Sequence, residues 1–66
     1  MQIIVNGKIT ECKENLTLDE WLQCKGYQKE RIAIEVNEAI LPKAEYANYR
    51  LAPNDKLEVV SFVGGG

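Results

Sequence analysis

The tetrad Thr17-Leu18-Asp19-Glu20 limits what this chain can fold into more than any other stretch. It has the form of a capping box: the Thr17 hydroxyl can accept from the Glu20 amide while the Glu20 carboxylate reaches back to the Thr17 N–H. Asp19 and Glu20 also suit the positive end of a helix. Leu18, Trp21, Leu22 and Lys25 then follow helical spacing, and Gly26 is placed to cap the other end. The helix so defined has about two to three turns, too short to be stable alone. Its Leu18/Leu22 face must therefore pack on a sheet, and Trp21 reads as core or core edge rather than as a ligand platform.

The sequence on either side supplies that sheet. In Met1 to Cys12, Ile3 and Val5 alternate with Gln2 and Ile4, and Asn6-Gly7 is the strongest two-residue hairpin signal. On a period of two, Ile3 and Val5 share one face and Ile4 takes the other. Tyr27 to Arg31 reads as a polar loop. Ile32 to Asn37 reads as a strand with Ile32, Ile34 and Val36 on one side, followed by a tight turn at Asn37-Glu38. Ala39-Ile40-Leu41 is a short edge strand stopped by Pro42, which cannot donate to a ladder. Lys43 to Tyr49 has a helical look over one or two turns, and Pro53-Asn54-Asp55 is a turn by composition. In the last strand, Leu57 to Phe62, Leu57 and Val59 face one way while Glu58, Val60 and Phe62 face the other.

A hairpin, one helix and further strands imply an α+β layer: a mixed sheet of about five strands with one main helix on one face. The other face of the sheet is then uncovered. Ile4, Val60 and Phe62 fall there if the first and last strands are neighbours. An exposed apolar patch of this kind marks a partner surface, although scattered surface hydrophobics are also normal.

The chain ends in Val63-Gly64-Gly65-Gly66. Glycine has the most conformational freedom to lose on ordering, so the expected division is a folded domain over residues 1–63 and a loose tail over 64–66. Two readings of that tail stand: a frayed end, or a reactive arm whose bare backbone threads a cleft and delivers an α-carboxylate. The rest of the chain offers no competing chemistry. There is no histidine, which removes the commonest general base and metal ligand. No phosphate-binding glycine loop or metal-ligand spacing is present, so no catalytic residues and no metal are expected. The two cysteines, Cys12 and Cys24, match neither a redox nor a zinc motif, and free thiols are expected. A net charge of −2 from 8 basic and 10 acidic residues argues against nucleic acid as a partner. No apolar run approaches a membrane span and no signal peptide is visible, so a cytoplasmic location is expected.

At this point the residues resemble a known family. The strand and helix order, the short chain and the Gly65-Gly66 end look like the ubiquitin-like β-grasp sulfur carriers, and above all the ThiS family of thiazole biosynthesis. Met1-Gln2-Ile3 with the Asn6-Gly7 turn is similar to the family's start. Val36-Asn37-Glu38-Ala39-Ile40-Leu41-Pro42 is similar to its central Val-Asn-x-x-apolar-apolar-Pro pattern, and Asn54-Asp55-Lys56-Leu57 to its Gly-Asp-x-apolar approach to the last strand. Val63-Gly64-Gly65-Gly66 fits its Val-x-Gly-Gly ending. Asn54 departs from the usual Gly, and Tyr46 stands where Trp is common.

The resemblance implies a carrier and not an enzyme. An E1-like adenylyltransferase (ThiF-like), using ATP and Mg, would convert the Gly66 carboxylate to an acyl-adenylate. A persulfide sulfur donor would then give a C-terminal thiocarboxylate, and thiazole synthase (ThiG-like) would take up that sulfur. Gly64 and Gly65 would thread the partner's cleft. No cofactor would be bound by the carrier itself. Ile4, Val60 and Phe62 as a partner-docking patch is an expectation from strand facing, not a family motif. Other readings remain: a molybdopterin synthase small subunit-like carrier, a ubiquitin-like modifier, and a non-covalent β-grasp interaction module.

Overall fold

The computed structural model describes residues 1–62. Strands β1 (Gln2–Val5) and β2 (Lys8–Glu11) form an antiparallel hairpin with Val5 opposite Lys8 and Ile4 opposite Ile9. Its two turn residues, Asn6 and Gly7, sit at φ 49 and 83, the positive values that a twist-matched two-residue turn requires. Helix α1 (Leu18–Lys25) follows, with the capping box formed in both directions: Glu20 N–H donates to Thr17 Oγ1 at 3.1 Å, and Thr17 N–H to Glu20 Oε1 at 2.9 Å. Gly26 ends the helix in the left-handed conformation, φ 81, with its N–H on the Gln23 and Leu22 carbonyls.

Strands β3 (Ile32–Val36) and β4 (Ala39–Leu41) form a second hairpin through Asn37 and Glu38, both at positive φ. Strand β5 (Lys56–Ser61) then inserts between the two hairpins, giving the order β2-β1-β5-β3-β4. It runs parallel to β1 and antiparallel to β3. This is the five-stranded mixed sheet with one helix on one face, the β-grasp architecture expected from the sequence.

Period two decides which residues reach the helix. Ile32, Ile34 and Val36 are buried while Ala33 and Glu35 are not. Val59 and Leu57 lie opposite Ile34 and Val36 on β5 and so share their face. Ile3 joins them from β1, and Leu18, Trp21 and Leu22 cover them from α1, with Tyr46 and Leu51 closing the end of the core. Trp21 is core, 2% exposed.

Three local expectations change. Between Lys43 and Tyr49 only a 3-10 turn forms, over Lys43–Glu45. The segment also lends carbonyls to α1: Tyr46 C=O accepts from Asp19 N–H at 3.1 Å and Tyr49 C=O from Leu18 N–H at 2.8 Å. The segment therefore serves the first turn of α1, whose own N–H groups lack helical partners. The loop after α1 contains a 3-10 turn at Lys29–Arg31. The last strand begins one residue earlier than expected, and Phe62 follows it, held by a further rung from its N–H to the Arg31 carbonyl at 2.8 Å.

Candidate functional site

Gly64, Gly65 and Gly66, and with them the proposed division after residue 63, lie outside the described residues. What the structure describes is the ground leading to them. Strand β5 delivers Phe62 to the edge of the open face of the sheet, the face away from α1.

The register places Ile4, Val60 and Phe62 on that one face. Ile4 is opposite Lys56 in the parallel pairing, and Val60 is opposite Ala33; both are out of phase with the buried Leu57 and the partly buried Val59. The three do not form one contiguous patch. Val60 on β5 and Phe62 just past its end are two residues apart, 50% and 55% exposed. Ile4 lies beside Lys56, four residues back along β5, roughly 13 Å at the usual strand rise. Glu58 stands between them, opposite Glu35 on β3. The open face thus carries one apolar group at the end of β5 and another at the β1–β2 hairpin.

That second group contains Ile9, 72% exposed and directly opposite Ile4, which the sequence reading did not assign. The signal was present. A two-residue turn at Asn6-Gly7 fixes Val5 against Lys8, and so Ile4 against Ile9. Ile40, 74% exposed, is a further apolar residue on this face, opposite Glu35. The Asn37-Glu38 turn fixes its position by the same arithmetic.

Lys43 could not have been found that way. It follows Pro42 at the end of β4, yet its Nζ donates to the Ile32 carbonyl at 2.7 Å and lies 5.5 Å from the centre of the Phe62 ring. Only the closed sheet brings these three residues together.

The motif residues Asn37 and Asp55 have a structural role. Asp55 is buried and accepts three hydrogen bonds: from Tyr49 OH at 2.6 Å and Ala52 N–H at 2.9 Å on Oδ2, and from Asn37 Nδ2 at 3.0 Å on Oδ1. Asn37 Oδ1 in turn accepts from Lys56 N–H at 3.0 Å. This network ties the β3–β4 turn to the start of β5. Burial, then the hydrogen bond to Asp55 and its negative charge, push the Tyr49 hydroxyl up to about 12. Asn54 adopts φ 69, the left-handed conformation that Asn tolerates better than most residues. Asn6 does similar work at the other end, accepting from Val59 N–H at 2.8 Å and donating its own N–H to the Leu57 carbonyl at 2.9 Å.

Both cysteines are unpaired; Cys12 is buried and Cys24 exposed. Burial raises the Cys12 thiol above its ordinary range, which makes it a poorer nucleophile at neutral pH. Among the described residues no group of three or more His, Cys, Asp or Glu side chains is arranged to hold a metal ion. No helix among them is long and apolar enough to cross a membrane.

Comparison with known proteins agrees with this geometry. A family model described as the ThiS family matches residues 3–66. The chain is 35% identical over 66 residues to a thiazole synthase of Paramagnetospirillum magneticum, covering all of this chain but 20% of that protein. It is 32% identical over 63 residues to the sulfur carrier protein ThiS of Bacillus subtilis, covering 94% of this chain and 96% of that one. The crystal structure of the thiamine biosynthesis protein ThiS from Geobacter metallireducens matches over the full length of both chains, with a TM-score of 0.85 and 30% identity.

Proposed function

The chain belongs to the ThiS family, and from that membership we propose that it is a sulfur carrier for the thiazole part of thiamine, working through the carboxylate of Gly66. A carboxylate does not react with a sulfur nucleophile until it has a leaving group. Attack of the Gly66 carboxylate on the α-phosphorus of ATP, with Mg²⁺, gives the acyl-adenylate and releases pyrophosphate. A persulfide then displaces AMP, and a thiol reductant cleaves the resulting acyl disulfide to leave the C-terminal thiocarboxylate. ATP and Mg²⁺ belong to the partner adenylyltransferase, and the catalytic groups are the partner's.

The observation that carries this reading is the family match running through residue 66 on a fold whose last strand leads an exposed apolar edge, Val60 and Phe62, up to those final residues. Glycines at 64 and 65 present no side chain to a narrow cleft. The docking surface would be the open face, with Val60 and Phe62 nearest the reacting end and Ile4 farther off. Thiazole synthase is the proposed sulfur acceptor, since relatives of that name contain a stretch similar to this whole chain. Two unpaired cysteines suit a reducing, cytoplasmic setting.

The test is the intact mass after incubation with ATP, Mg²⁺, an adenylyltransferase of the ThiF kind and a sulfur source. One oxygen is expected to be replaced by one sulfur, confined to the C-terminal peptide. An unchanged mass beside a control carrier that is converted would overturn the reading.

A further inference from the structure

We propose that Lys43 is a positioning residue: it straps Phe62 to the end of the sheet and so holds in place the residue from which the chain runs on to Gly66.

Phe62 N–H donates to the Arg31 carbonyl at 2.8 Å, while Arg31 N–H turns to the Gln28 carbonyl at 2.9 Å; Arg31 and Phe62 thus stand at a hydrogen-bonding position of the antiparallel β3–β5 register, one step beyond both strands. Hydrogen-bonded and non-hydrogen-bonded pairs alternate along such a pairing. Ile32, opposite Ser61, therefore turns its own N–H and C=O away from β5, towards β4. Beside β4 the register runs Ile34 to Leu41, so the next position facing Ile32 is Lys43. Pro42 intervenes and β4 has ended. The Ile32 carbonyl has no strand to accept from, and the Lys43 ammonium takes that place at 2.7 Å.

The same ammonium lies 5.5 Å from the Phe62 ring centre, within the range of a cation–π contact. Phe62 is thus held twice, by its backbone rung to Arg31 and by its ring under Lys43. The side chain of Lys43 reaches from the far edge of the sheet, past the start of β3, to the root of the residues that carry Gly66. Lys43 is otherwise exposed, and its loss would leave the Ile32 carbonyl to water at a sheet edge, so the fold does not depend on it. What depends on it is the fixed direction of Phe62. A donor or acceptor misplaced by small distances loses rate out of proportion to any lost affinity. The kinetic part rests on Gly66 being the reacting group; the strap itself does not.

The test compares Lys43→Met and Lys43→Arg with the wild type. Chymotrypsin cleavage after Phe62, followed by intact mass, reads the strap directly, and cleavage after the exposed Tyr27 gives an internal reference. Lys43→Met should be cut after Phe62 several-fold faster with the Tyr27 rate and Tm unchanged, while Lys43→Arg should stay near wild type. Equal cleavage of Lys43→Met and wild type after Phe62 overturns the proposal. In ATP–pyrophosphate exchange with the adenylyltransferase, kcat for Lys43→Met should fall about two- to fivefold, the worth of a cation–π contact at an exposed site, with KM little changed, and Lys43→Arg should restore it. A reduced kcat without faster cleavage would mean that Lys43 touches the partner directly, which also overturns the strap. A wild-type chain that supports no exchange would count against the carrier reading alone, with the cleavage rates still deciding the strap.

Discussion

Replacing Asp55 by Asn removes the charge from a side chain that accepts three hydrogen bonds while it is 6% exposed. Shape is conserved, so the effect isolates the polar chemistry. An amide has one acceptor oxygen. If that oxygen keeps Tyr49 OH and Ala52 N–H, the new NH₂ faces Asn37 Nδ2, and two donors oppose each other. Asn37 cannot turn its amide over without loss, because its Oδ1 holds Lys56 N–H at 3.0 Å. In the other orientation the NH₂ faces both Tyr49 OH and Ala52 N–H. The better arrangement still loses one hydrogen bond to a carboxylate, worth about 1.5–3 kcal/mol. It also weakens the other two, since charge-assisted bonds are about twice as strong as neutral ones. The expected destabilisation is about 3 kcal/mol. A domain of this size has roughly 3–10 kcal/mol in all, so the loss is a third or more of the total. Urea unfolding measures it: with a slope of about 1 kcal/mol/M, the midpoint should fall by about 3 M. A double-mutant cycle with Tyr49→Phe should show coupling, because Asp55→Asn takes the charge out of the same 2.6 Å contact that Tyr49→Phe removes. An Asp55→Asn midpoint close to wild type, or strict additivity with Tyr49→Phe, would refute the account of Asp55 as the brace between the β3–β4 turn and β5.

Two further outcomes follow from the same structure. Tyr49, raised from about 10 to about 12, holds its proton more tightly in the folded chain. Its contribution is complete below pH about 10 and is lost as pH rises through about 12, so the stability gap between wild type and Tyr49→Phe should close across that alkaline range in urea midpoints; a gap that persists unchanged to the top of it would contradict the assignment. On the open face, Val60→Glu should raise the KM for the adenylyltransferase about tenfold, the equivalent of 1.4 kcal/mol, with Tm unaffected because Val60 is half exposed. An unchanged KM would remove Val60 from the docking surface.

Much of this fold was legible because its signals are local. The capping box spans four residues, the Asn6-Gly7 and Asn37-Glu38 turns two each, and a period of two assigns strand faces without reference to any partner. Turn length alone even fixes which residues oppose each other within a hairpin, so Ile9 and Ile40 could have been placed with Ile4 on the open face. The expected short helix after Lys43 is only a 3-10 turn, and the Tyr46 and Tyr49 carbonyls of that segment accept from α1, more than twenty residues earlier in the chain, a contact that no window along the sequence registers.

By itself, then, the sequence determined most of the elements and the faces of the strands. Its motifs also pointed to the sulfur carriers and to Gly66. The tertiary structure decided what depends on the insertion of β5 between the two hairpins. That step set Ile4 and Val60 on one face but roughly 13 Å apart, buried Asp55 among Tyr49, Ala52 and Asn37, and carried Phe62 under Lys43. These contacts join residues up to tens of positions apart, and their geometry exists only once the sheet has closed. The residue types that make them, a lysine after a proline and an aspartate in a turn, read along the chain as ordinary surface and turn residues.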